Sequence, residues 1–357
     1  MIDHNINEYL ATDDISVVQA MEMIDKNAKG ILFIVDEEGA LTGSLTDGDI
    51  RRWIIKTGDL TATAKNLMNT NVRYLFEADA ENADDVLEKN KISSIPVLDN
   101  RKKPVDIVFA GEKNRVARIT DSLKGIPCVI MAGGKGTRLY PFTKILPKPL
   151  IPIGDIPIIE RIMNRFNSYG ITEFYITVNY KKEMIRSYFN ELNPPYEIHY
   201  VEEDKPLGTA GSIKLIKKKF DRPVIITNCD ILIEADYDKI LKYHKEQAND
   251  LTLVSSLKNI TIPYGVLHSK EDGIVTSMEE KPQLSYFINT GMYIVNPEYI
   301  EEIPDDTFFH MTDLTEKLMK MDKKVAMYPI SENSYLDMGQ FEEMKKMEER
   351  VKSGEIK

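Results

Sequence analysis

An apolar stretch that runs directly into a glycine-rich turn constrains the fold of this chain more than any other feature. Residues 128–131 are apolar and are typical of a buried strand, and glycines follow at Gly133, Gly134 and Gly136. Glycine permits backbone angles that other residues avoid, and it lets ligand oxygens approach main-chain N–H groups closely. Arg138 and Lys148 add positive charge beside the turn. A strand, a glycine turn and flanking cations together predict a site for a polyphosphate.

The common phosphate-binding motifs do not match this turn. The P-loop spacing is absent, and the G-x-G-x-x-G pattern fails because Leu139 stands where its last glycine would be. From Gly133 to Pro149 the chain instead reads G-G-x-G-T-R-L-x-P-x-T-x-x-x-P-K-P. This string resembles the signature of the sugar-1-phosphate nucleotidyltransferases, which make nucleotide sugars. We expect residues 126–357 to form such a domain.

Bulk composition agrees with a water-soluble enzyme of about two domains. The chain has 357 residues, 42% of them hydrophobic, and a net charge of −11, which disfavours binding to nucleic acid or to an anionic membrane. Its two cysteines, Cys128 and Cys229, lie in apolar patterns and predict free, buried thiols. The chain starts without a signal-peptide pattern, and no apolar run approaches the roughly 20 residues that span a bilayer. We expect a cytoplasmic protein.

The first 120 residues contain an internal repeat with a period of 63 residues. The segment 34–36 (Ile-Val-Asp) corresponds to the segment 97–99 (Val-Leu-Asp), and each follows an amphipathic helical pattern. The order β-α-β-β-α, read twice, resembles a tandem pair of cystathionine-β-synthase (CBS) modules, at 1–60 and 61–119. A short polar join at 119–126 then leads into the second region.

Pairs of CBS modules often bind adenine nucleotides, and the first copy retains the pattern that this requires. Thr46 and Asp49 fit the family's [ST]-x-x-D, whose hydroxyl lies near phosphate and whose carboxylate binds the ribose. The corresponding residues of the second copy are Phe109 and Glu112, so at most one such site is expected. Alternatively, Asp49 only caps a helix that starts near Ile50. CBS pairs usually dimerise, so the resemblance also implies a homo-oligomer.

From residue 126 onward, strand-like runs alternate with helical patterns, which predicts a Rossmann-like α/β fold with a mostly parallel mixed sheet. The predicted strands are 129–131, 173–178, 197–200, 223–227 and 251–255. The predicted helices are 157–169, 181–189, 209–218, 237–247 and 341–351. Ligands are expected at the carboxyl ends of the strands.

Two aspartates match the positions at which this family binds a metal ion. Asp230 follows a strand-like run in the family pattern N-x-D, and Asp337 lies in the pattern L-D-x-G. Mg²⁺ prefers one or two carboxylates, with phosphates and water completing its octahedron. The resemblance therefore implies Mg²⁺ as the cofactor, held by these two side chains.

The resemblance also assigns the remaining site residues. The nucleotide contacts are Ala132, Gly133, Gly134, Gly136, Thr137, Glu203 and Gly208. The sugar-phosphate contacts are Gly265, Glu280, Lys281, Asn289, Thr290 and Gly291. The catalytic cations are Arg138, Lys148 and Lys281. The five histidines (His4, His199, His244, His268 and His310) lie outside every motif, and we expect structural or surface roles for them.

Glu203 is the residue that bears on the base. Thymidylyl- and uridylyltransferases of the family typically carry glutamine at this position. Guanine presents two adjacent donors, N1–H and the 2-amino group, which one carboxylate can accept together, whereas uracil and thymine present one donor between two acceptors. Glu203 therefore favours GTP. Its neighbours Glu202 and Asp204 are also acidic, so a solvated charge run is the alternative.

A CBS pair ahead of a short nucleotidyltransferase domain is similar to the glucosamine-1-phosphate guanylyltransferases of legionaminic acid synthesis. That similarity implies GTP and glucosamine 1-phosphate as substrates, with GDP-glucosamine and pyrophosphate as products. Alternatives are a mannose-1-phosphate guanylyltransferase and a thymidylyl- or uridylyltransferase for glucose 1-phosphate. An inactive paralogue that senses nucleotides is a further alternative from another class.

Overall fold

The computed structural model describes residues 6–27, 29–110 and 121–353. The chain divides into two compact units, Met1–Val116 with Lys258–Tyr286, and Ala117–Leu257 with Phe287–Lys357. Glu112, His4 and the first two residues of the predicted join lie outside the described residues. None of the helices in the described ranges has the length and apolar character needed to cross a bilayer.

The N-terminal part of the first unit contains the predicted order β-α-β-β-α in the first copy and β-α-β-β in the second, whose last predicted helix lies outside the described residues. The first copy comprises β1 (Leu10–Thr12), α1 (Val17–Asn27), β2 (Ile31–Val35), β3 (Leu41–Thr46) and α2 (Asp47–Thr57). The second comprises β4 (Leu75–Phe76), α3 (Ala83–Asn90), β5 (Ser94–Leu98) and β6 (Pro104–Phe109). Each copy has a three-stranded sheet, ordered β1-β2-β3 and β4-β5-β6, with one parallel and one antiparallel pairing.

The 63-residue period is visible in atomic detail. Strands β5 and β6 begin and end 63 residues after β2 and β3, and each pair has a register shift at the corresponding position. In the turn of the first copy, Asp36 Oδ1 accepts hydrogen bonds from the amides of Glu38 and Ala40. In the second copy, Asp99 Oδ1 accepts from the amides of Arg101 and Lys103. The repeated Val-Asp or Leu-Asp signal therefore marks a strand end followed by an Asx turn.

A shared apolar cluster joins the two copies within this unit. Tyr9, Ile31, Phe33, Ile107 and Phe109 are buried together. The rings of Tyr9 and Phe109 lie 5.2 Å apart between centroids. Phe109, which replaces the hydroxyl residue of the first copy, is thus part of the core.

The second unit contains most of the remaining elements. In chain order, the first of these elements are β7 (Cys128–Met131), α4 (Phe142–Ile145), β8 (Pro152–Ile153), β9 (Ile156–Pro157), α5 (Ile158–Asn167), β10 (Glu173–Val178), α6 (Lys182–Leu192), β11 (Glu197–Glu202) and α7 (Gly208–Gly211). They continue with β12 (Val224–Asn228), β13 (Ile231–Ile233), α8 (Tyr237–Glu246) and β14 (Leu251–Thr261). The hairpin strands are β15 (Gly265–Ser269) and β16 (Val275–Glu280), and the chain ends with β17 (Gln283–Val295), α9 (Met311–Lys320), β18 (Val325–Ile330), β19 (Tyr335–Asp337) and α10 (Phe341–Lys352).

The hairpin β15–β16 belongs to the first unit, together with the ends of β14 and β17 that adjoin it. Within that unit, Glu22 on α1 accepts hydrogen bonds from the side-chain amides of Asn259 and Gln283, at 3.0 and 3.3 Å. These two amides lie on different strands. The N-terminal modules and the hairpin are therefore joined by contacts between residues far apart in the sequence.

A seven-stranded sheet, ordered β11-β10-β7-β12-β17-β14-β18, forms the centre of the second unit. The pairs of β7 with β10 and β12, of β10 with β11 and of β14 with β18 are parallel, whereas β12 and β17 are antiparallel. The predicted α/β fold with a mostly parallel mixed sheet is confirmed.

Helices cover both faces of this sheet because its central strands are apolar on both sides. On β7, Cys128 and Ile130 face a core completed by helices α5, α6, α8 and α10. Val129 and Met131 face a second core to which α7 and α9 contribute. Both cysteines are free and buried, as predicted.

The helix predicted at 209–218 is wrong in extent. Helix α7 ends at Gly211, a 3-10 turn covers Ser212–Leu215, and Ile216 is extended. Two of the four residues of α7 are glycines, which disfavour helix, and the amides of Ala210 and Gly211 donate to the carbonyl of Phe309. Phe309 therefore caps the free amides of the first turn, and the glycines and the change to a 3-10 turn account for the short helix. The other predicted helices of this region are present with ends shifted by a few residues.

The burial of His244 predicts a pH-dependent contribution to the stability of this unit. His244 Nδ1 lies 2.8 Å from Thr252 Oγ1 and Nε2 lies 3.0 Å from Asn296 Oδ1, and burial lowers the pKa of the imidazole. A histidine with a lowered pKa stabilises the fold fully above its unfolded pKa of about 6.5, and this contribution is lost as the pH falls towards the folded pKa.

We predict that the Tm of the wild type falls more between pH 7.5 and pH 5 than the Tm of His244→Gln. Glutamine keeps polar atoms at this position but does not titrate in this range. Circular dichroism at both pH values measures the difference, and His268→Gln, at an exposed position, is the matched control. Equal pH dependence of wild type and His244→Gln would contradict the assignment.

Candidate active site

The glycine turn leaves the carboxyl end of β7 and packs closely against two side chains. The amide of Ala132 donates to the carbonyl of Thr177 at 3.0 Å, which fixes the start of the turn. A Cβ on Gly133 would lie 2.3 Å from Glu203 Oε1. Gly136 has a φ of +64°, and a Cβ there would lie 2.9 Å from the Cβ of Lys148. The turn therefore requires glycine at positions 133 and 136.

A cavity of about 410 Å³ opens beside this turn. The predicted nucleotide, catalytic and metal-binding residues in its wall are Gly133, Gly134, Gly136, Thr137, Arg138, Lys148, Glu203, Gly208 and Asp230. Ala132 is buried beneath the turn. The volume of the cavity suits a small-molecule ligand. The structure thus brings together residues that lie up to 97 positions apart.

Two aspartates and a lysine lie close together at this end of the sheet, with Lys148 and Asp230 in the wall of the cavity. Lys148 Nζ forms an ion pair with a carboxylate oxygen of Asp230, and both side chains are largely buried. Asp337 ends β19, which pairs with β13 directly after Asp230. The amide of Met338 donates to the carbonyl of Asp230 at 2.8 Å. Burial, together with the nearby charge of Asp230, raises the pKa of Asp337. The two carboxylates therefore share one electrostatic environment.

This donor set fits Mg²⁺ better than a metal held by protein ligands alone. In the described part of the chain, no group of three or more histidine, cysteine, aspartate or glutamate side chains is arranged to hold a metal. Asp230 and Asp337 offer two carboxylates, and Mg²⁺ commonly takes one or two, leaving its other positions to phosphate oxygens and water. Burial first, and the charge of Asp230 second, raise the pKa of Asp337, and a divalent cation held between the two carboxylates would favour their ionised forms.

Glu203 is distinct from the acidic residues beside it. It is 7% exposed, its Oε2 accepts from the amide of Leu207 at 3.1 Å, and burial raises the pKa of its carboxyl. Glu202 faces outward and pairs with Lys182 and Arg186, whose hydrogen bonds lower its pKa. The solvated charge run expected as the alternative therefore describes Glu202 and not Glu203.

A second cavity of about 280 Å³ adjoins the first. Asn289, Thr290, Gly291 and Asp337 line it, with Arg138 and Asp230 shared between the two cavities. A Cβ on Gly291 would lie 2.3 Å from Asn228 Nδ2, so this glycine makes room for the amide of the N-x-D pattern.

Three predicted sugar-phosphate residues lie in the first unit. Gly265 begins β15, Glu280 ends β16, and Lys281 follows with a positive φ of 49°. All three are exposed, and they line neither of the two cavities. Their assignment to the sugar phosphate stays a prediction.

Thr46 and Asp49 form a capping box at the start of α2. The amide of Asp49 donates to Thr46 Oγ1 at 3.2 Å, and Asp49 Oδ2 accepts from the amide of Thr46 at 3.0 Å. The helix begins at Asp47 rather than near Ile50, so Thr46 is the capping residue and Asp49 its reciprocal partner. Adenine nucleotide binding here stays a prediction.

Several residues that line the larger cavity were not predicted from the sequence, and three of them come from two segments that pair with each other. His310, Thr209 and Phe308 lie in its wall, and the first two also line the smaller one. His310 thus lies in the walls of both cavities, and the structural or surface role expected for it stays a prediction. No local motif marks it, because its position depends on pairing with a segment about 100 residues earlier.

Comparison with known proteins identifies the family. A family model described as nucleotidyl transferase matches residues 127–354, more than half of the chain. A model of the CBS domain matches residues 7–56. The chain therefore belongs to the nucleotidyl transferase family and carries an N-terminal CBS domain.

Several curated proteins are similar over this region. A mannose-1-phosphate guanyltransferase of Debaryomyces hansenii is 33% identical over 51% of this chain and 52% of its own length. A UTP–glucose-1-phosphate uridylyltransferase of Synechocystis is 31% identical over 64% of each. The chain thus spans about half to under two thirds of the length of these relatives. The crystal structure of HddC from Yersinia pseudotuberculosis is 28% identical, with a TM-score of 0.51 over 63% of this chain and 99% of that one.

We predict that Gly133→Ala destabilises the protein through Glu203. The added methyl group would collide with the Glu203 carboxylate, and overpacking of this kind typically costs about 1–3 kcal/mol. In a Glu203→Ala background the same substitution should cost much less. Urea denaturation of the four proteins gives the coupling. Gly134→Ala, where a Cβ would meet nothing within 4 Å, is the control. An equal cost in both backgrounds would contradict the contact.

Proposed function

We propose that this protein transfers a nucleotidyl group from a nucleoside triphosphate to a sugar 1-phosphate, giving a nucleotide sugar and pyrophosphate. One observation carries the proposal. The glycine turn, two cations (Arg138 and Lys148) and two carboxylates (Asp230 and Asp337) converge on adjoining cavities. Membership of the nucleotidyl transferase family and the printed activities of the relatives support it.

The reaction demands little acid–base chemistry from the protein. The sugar-phosphate oxygen attacks the α-phosphorus, a new P–O bond forms, and the bond to the β-phosphate oxygen breaks as pyrophosphate leaves. A phosphate monoester has a second pKa of about 6, so the nucleophile is already anionic near neutral pH and no general base is required. The protein must instead align two anions and neutralise their charge.

The described residues can meet that demand. Main-chain amides of the glycine turn can bind phosphate oxygens, and Arg138, in the wall of both cavities, can neutralise charge where the substrates meet. Lys148, released from Asp230, can bind the triphosphate. Asp230 and Asp337 would hold Mg²⁺, which would supply charge neutralisation at the phosphates.

For the base, we infer GTP from the surroundings of Glu203. Its carboxylate is buried in the wall of the nucleotide cavity, next to the glycine turn and the loop at Gly208. A carboxylate there can accept both donors of guanine. For the sugar, we propose glucosamine 1-phosphate. The alternatives are mannose 1-phosphate with GTP, and glucose 1-phosphate with UTP or dTTP, because similar proteins are named for both base classes.

The proposed reaction predicts which substrates the protein uses. Purified protein with Mg²⁺ should release pyrophosphate from GTP and glucosamine 1-phosphate, and not without Mg²⁺. The measurement is a grid of GTP, UTP, dTTP, CTP and ATP against the 1-phosphates of glucosamine, N-acetylglucosamine, glucose and mannose. Activity in a different cell would keep the reaction and discard the base or the sugar. A blank grid, also with AMP or ATP added as CBS ligands, would favour a nucleotide-sensing paralogue.

The proposed role of Glu203 predicts how its substitution changes the preference for the base. Glu203→Gln should lower the ratio of kcat/KM for GTP to that for UTP by at least about tenfold, because an amide donor would face the donors of guanine. Glu202→Gln is the matched control, since that carboxylate is turned outward onto Lys182 and Arg186. An unchanged ratio in Glu203→Gln would remove the argument for guanine.

A further inference from the structure

Two segments about 100 residues apart are joined at the edge of the nucleotide cavity. The amide of Phe309 donates to the carbonyl of Leu207 at 2.9 Å, and the carbonyl of Phe309 accepts from the amides of Ala210 and Gly211 at 2.9 and 3.0 Å. A Cβ on Gly208 would lie 2.6 Å from that carbonyl oxygen. The backbone between Thr307 and His310 is therefore held against the loop that contains Gly208, a predicted nucleotide contact.

This pairing orients the ring of His310. Its Nδ1 accepts from the amide of Thr209 at 3.3 Å, and Thr209 Oγ1 lies 3.4 Å away. That hydroxyl oxygen already accepts from the amide of Met311 at 2.9 Å, so its own proton is free to face Nδ1. Phe308 packs edge-on against the ring, with centroids 4.7 Å apart. An acceptor role for Nδ1 assigns the proton of the neutral ring to Nε2.

The oriented ring stands where the two cavities meet. His310, Arg138 and Asp230 belong to the walls of both. Its Nε2 makes no hydrogen bond to the residues that the structure describes, so a fixed N–H donor remains available to a ligand. If the proposed function holds, the α-phosphate of the triphosphate and the sugar phosphate must come together at this junction.

We propose that His310 is a substrate-contacting residue whose Nε2–H donates to an oxygen of the transferring phosphoryl group. This inference rests on the proposed function and adds a residue to it. An oriented donor of this kind acts mainly on the transition state, in which charge on the phosphoryl oxygens is redistributed, and it needs no reorganisation when the reaction occurs. Removing one such donor typically lowers kcat about 10²- to 10³-fold.

Two substitutions separate this role from a purely structural one. In His310→Asn the side-chain carbonyl can replace Nδ1 as the acceptor for Thr209, but no donor reaches the position of Nε2. In His310→Gln the amide can replace the Nε2 donor, but the acceptor near Thr209 is lost. We expect kcat to fall about 10²-fold in His310→Asn and much less in His310→Gln, whereas the Tm should fall more in His310→Gln. His199→Gln, outside both cavities, is the matched control.

The outcomes are distinguishable. Equal kcat values for all proteins, or a larger loss in His310→Gln than in His310→Asn, would overturn the donor role. A rise in KM for the sugar 1-phosphate with unchanged kcat would place the donor on a sugar hydroxyl and overturn the phosphoryl contact. If the wild type is inactive in every substrate pair, the proposed function fails. An inactive wild type would overturn the donor role together with the proposed function, whereas an active wild type with equal kcat in His310→Asn would overturn the donor role alone.

Discussion

The central strand β7 is the element on which the site depends. Its four residues are buried and alternate between the two cores, so neither face of the sheet can form without it. Its last residue, Met131, pairs with Thr177 on β10 and with Asn228 on β12. The glycine turn and Asp230 therefore leave the sheet at the same edge. Because the strand is fixed by burial on both faces, the turn that follows it has a fixed starting point.

Opposite charges lie close together beside the two cavities. Asp230 and Asp337 come together through the short pair β13–β19, and repulsion between them contributes to the raised pKa of Asp337. Lys148 compensates part of that charge through its ion pair with Asp230. Breaking a buried ion pair leaves an uncompensated charge, which is costly. When Mg²⁺ and a triphosphate bind, Mg²⁺ can replace Lys148 beside Asp230, and the triphosphate can replace Asp230 beside Lys148. The same groups can therefore stabilise the free protein and bind substrates.

The parts of the structure that the sequence predicts are those written in local pattern. The 63-residue period is enough to predict the strands of the two CBS-like copies, because strand burial and the Asx turns at Asp36 and Asp99 depend on residues that are neighbours in the sequence. The strand before the glycine turn was equally clear. The helix predicted at 209–218 is too long, since the apolar pattern does not distinguish an α-helix from the short helix and 3-10 turn that the structure has there.

Contacts between distant segments account for what the sequence could not predict. His310 enters the site only because Phe309 is paired with the loop at Leu207–Gly211, about 100 residues earlier. The hairpin groups with the N-terminal unit, where Glu22 binds Asn259 and Gln283 across separations of 237 and 261 residues. The Glu22 carboxylate thus accepts hydrogen bonds from side-chain amides on both strands that flank the hairpin. Motif reading assigns Glu280 and Lys281 to the C-terminal region, but their structural unit is set by tertiary contacts that no local pattern contains.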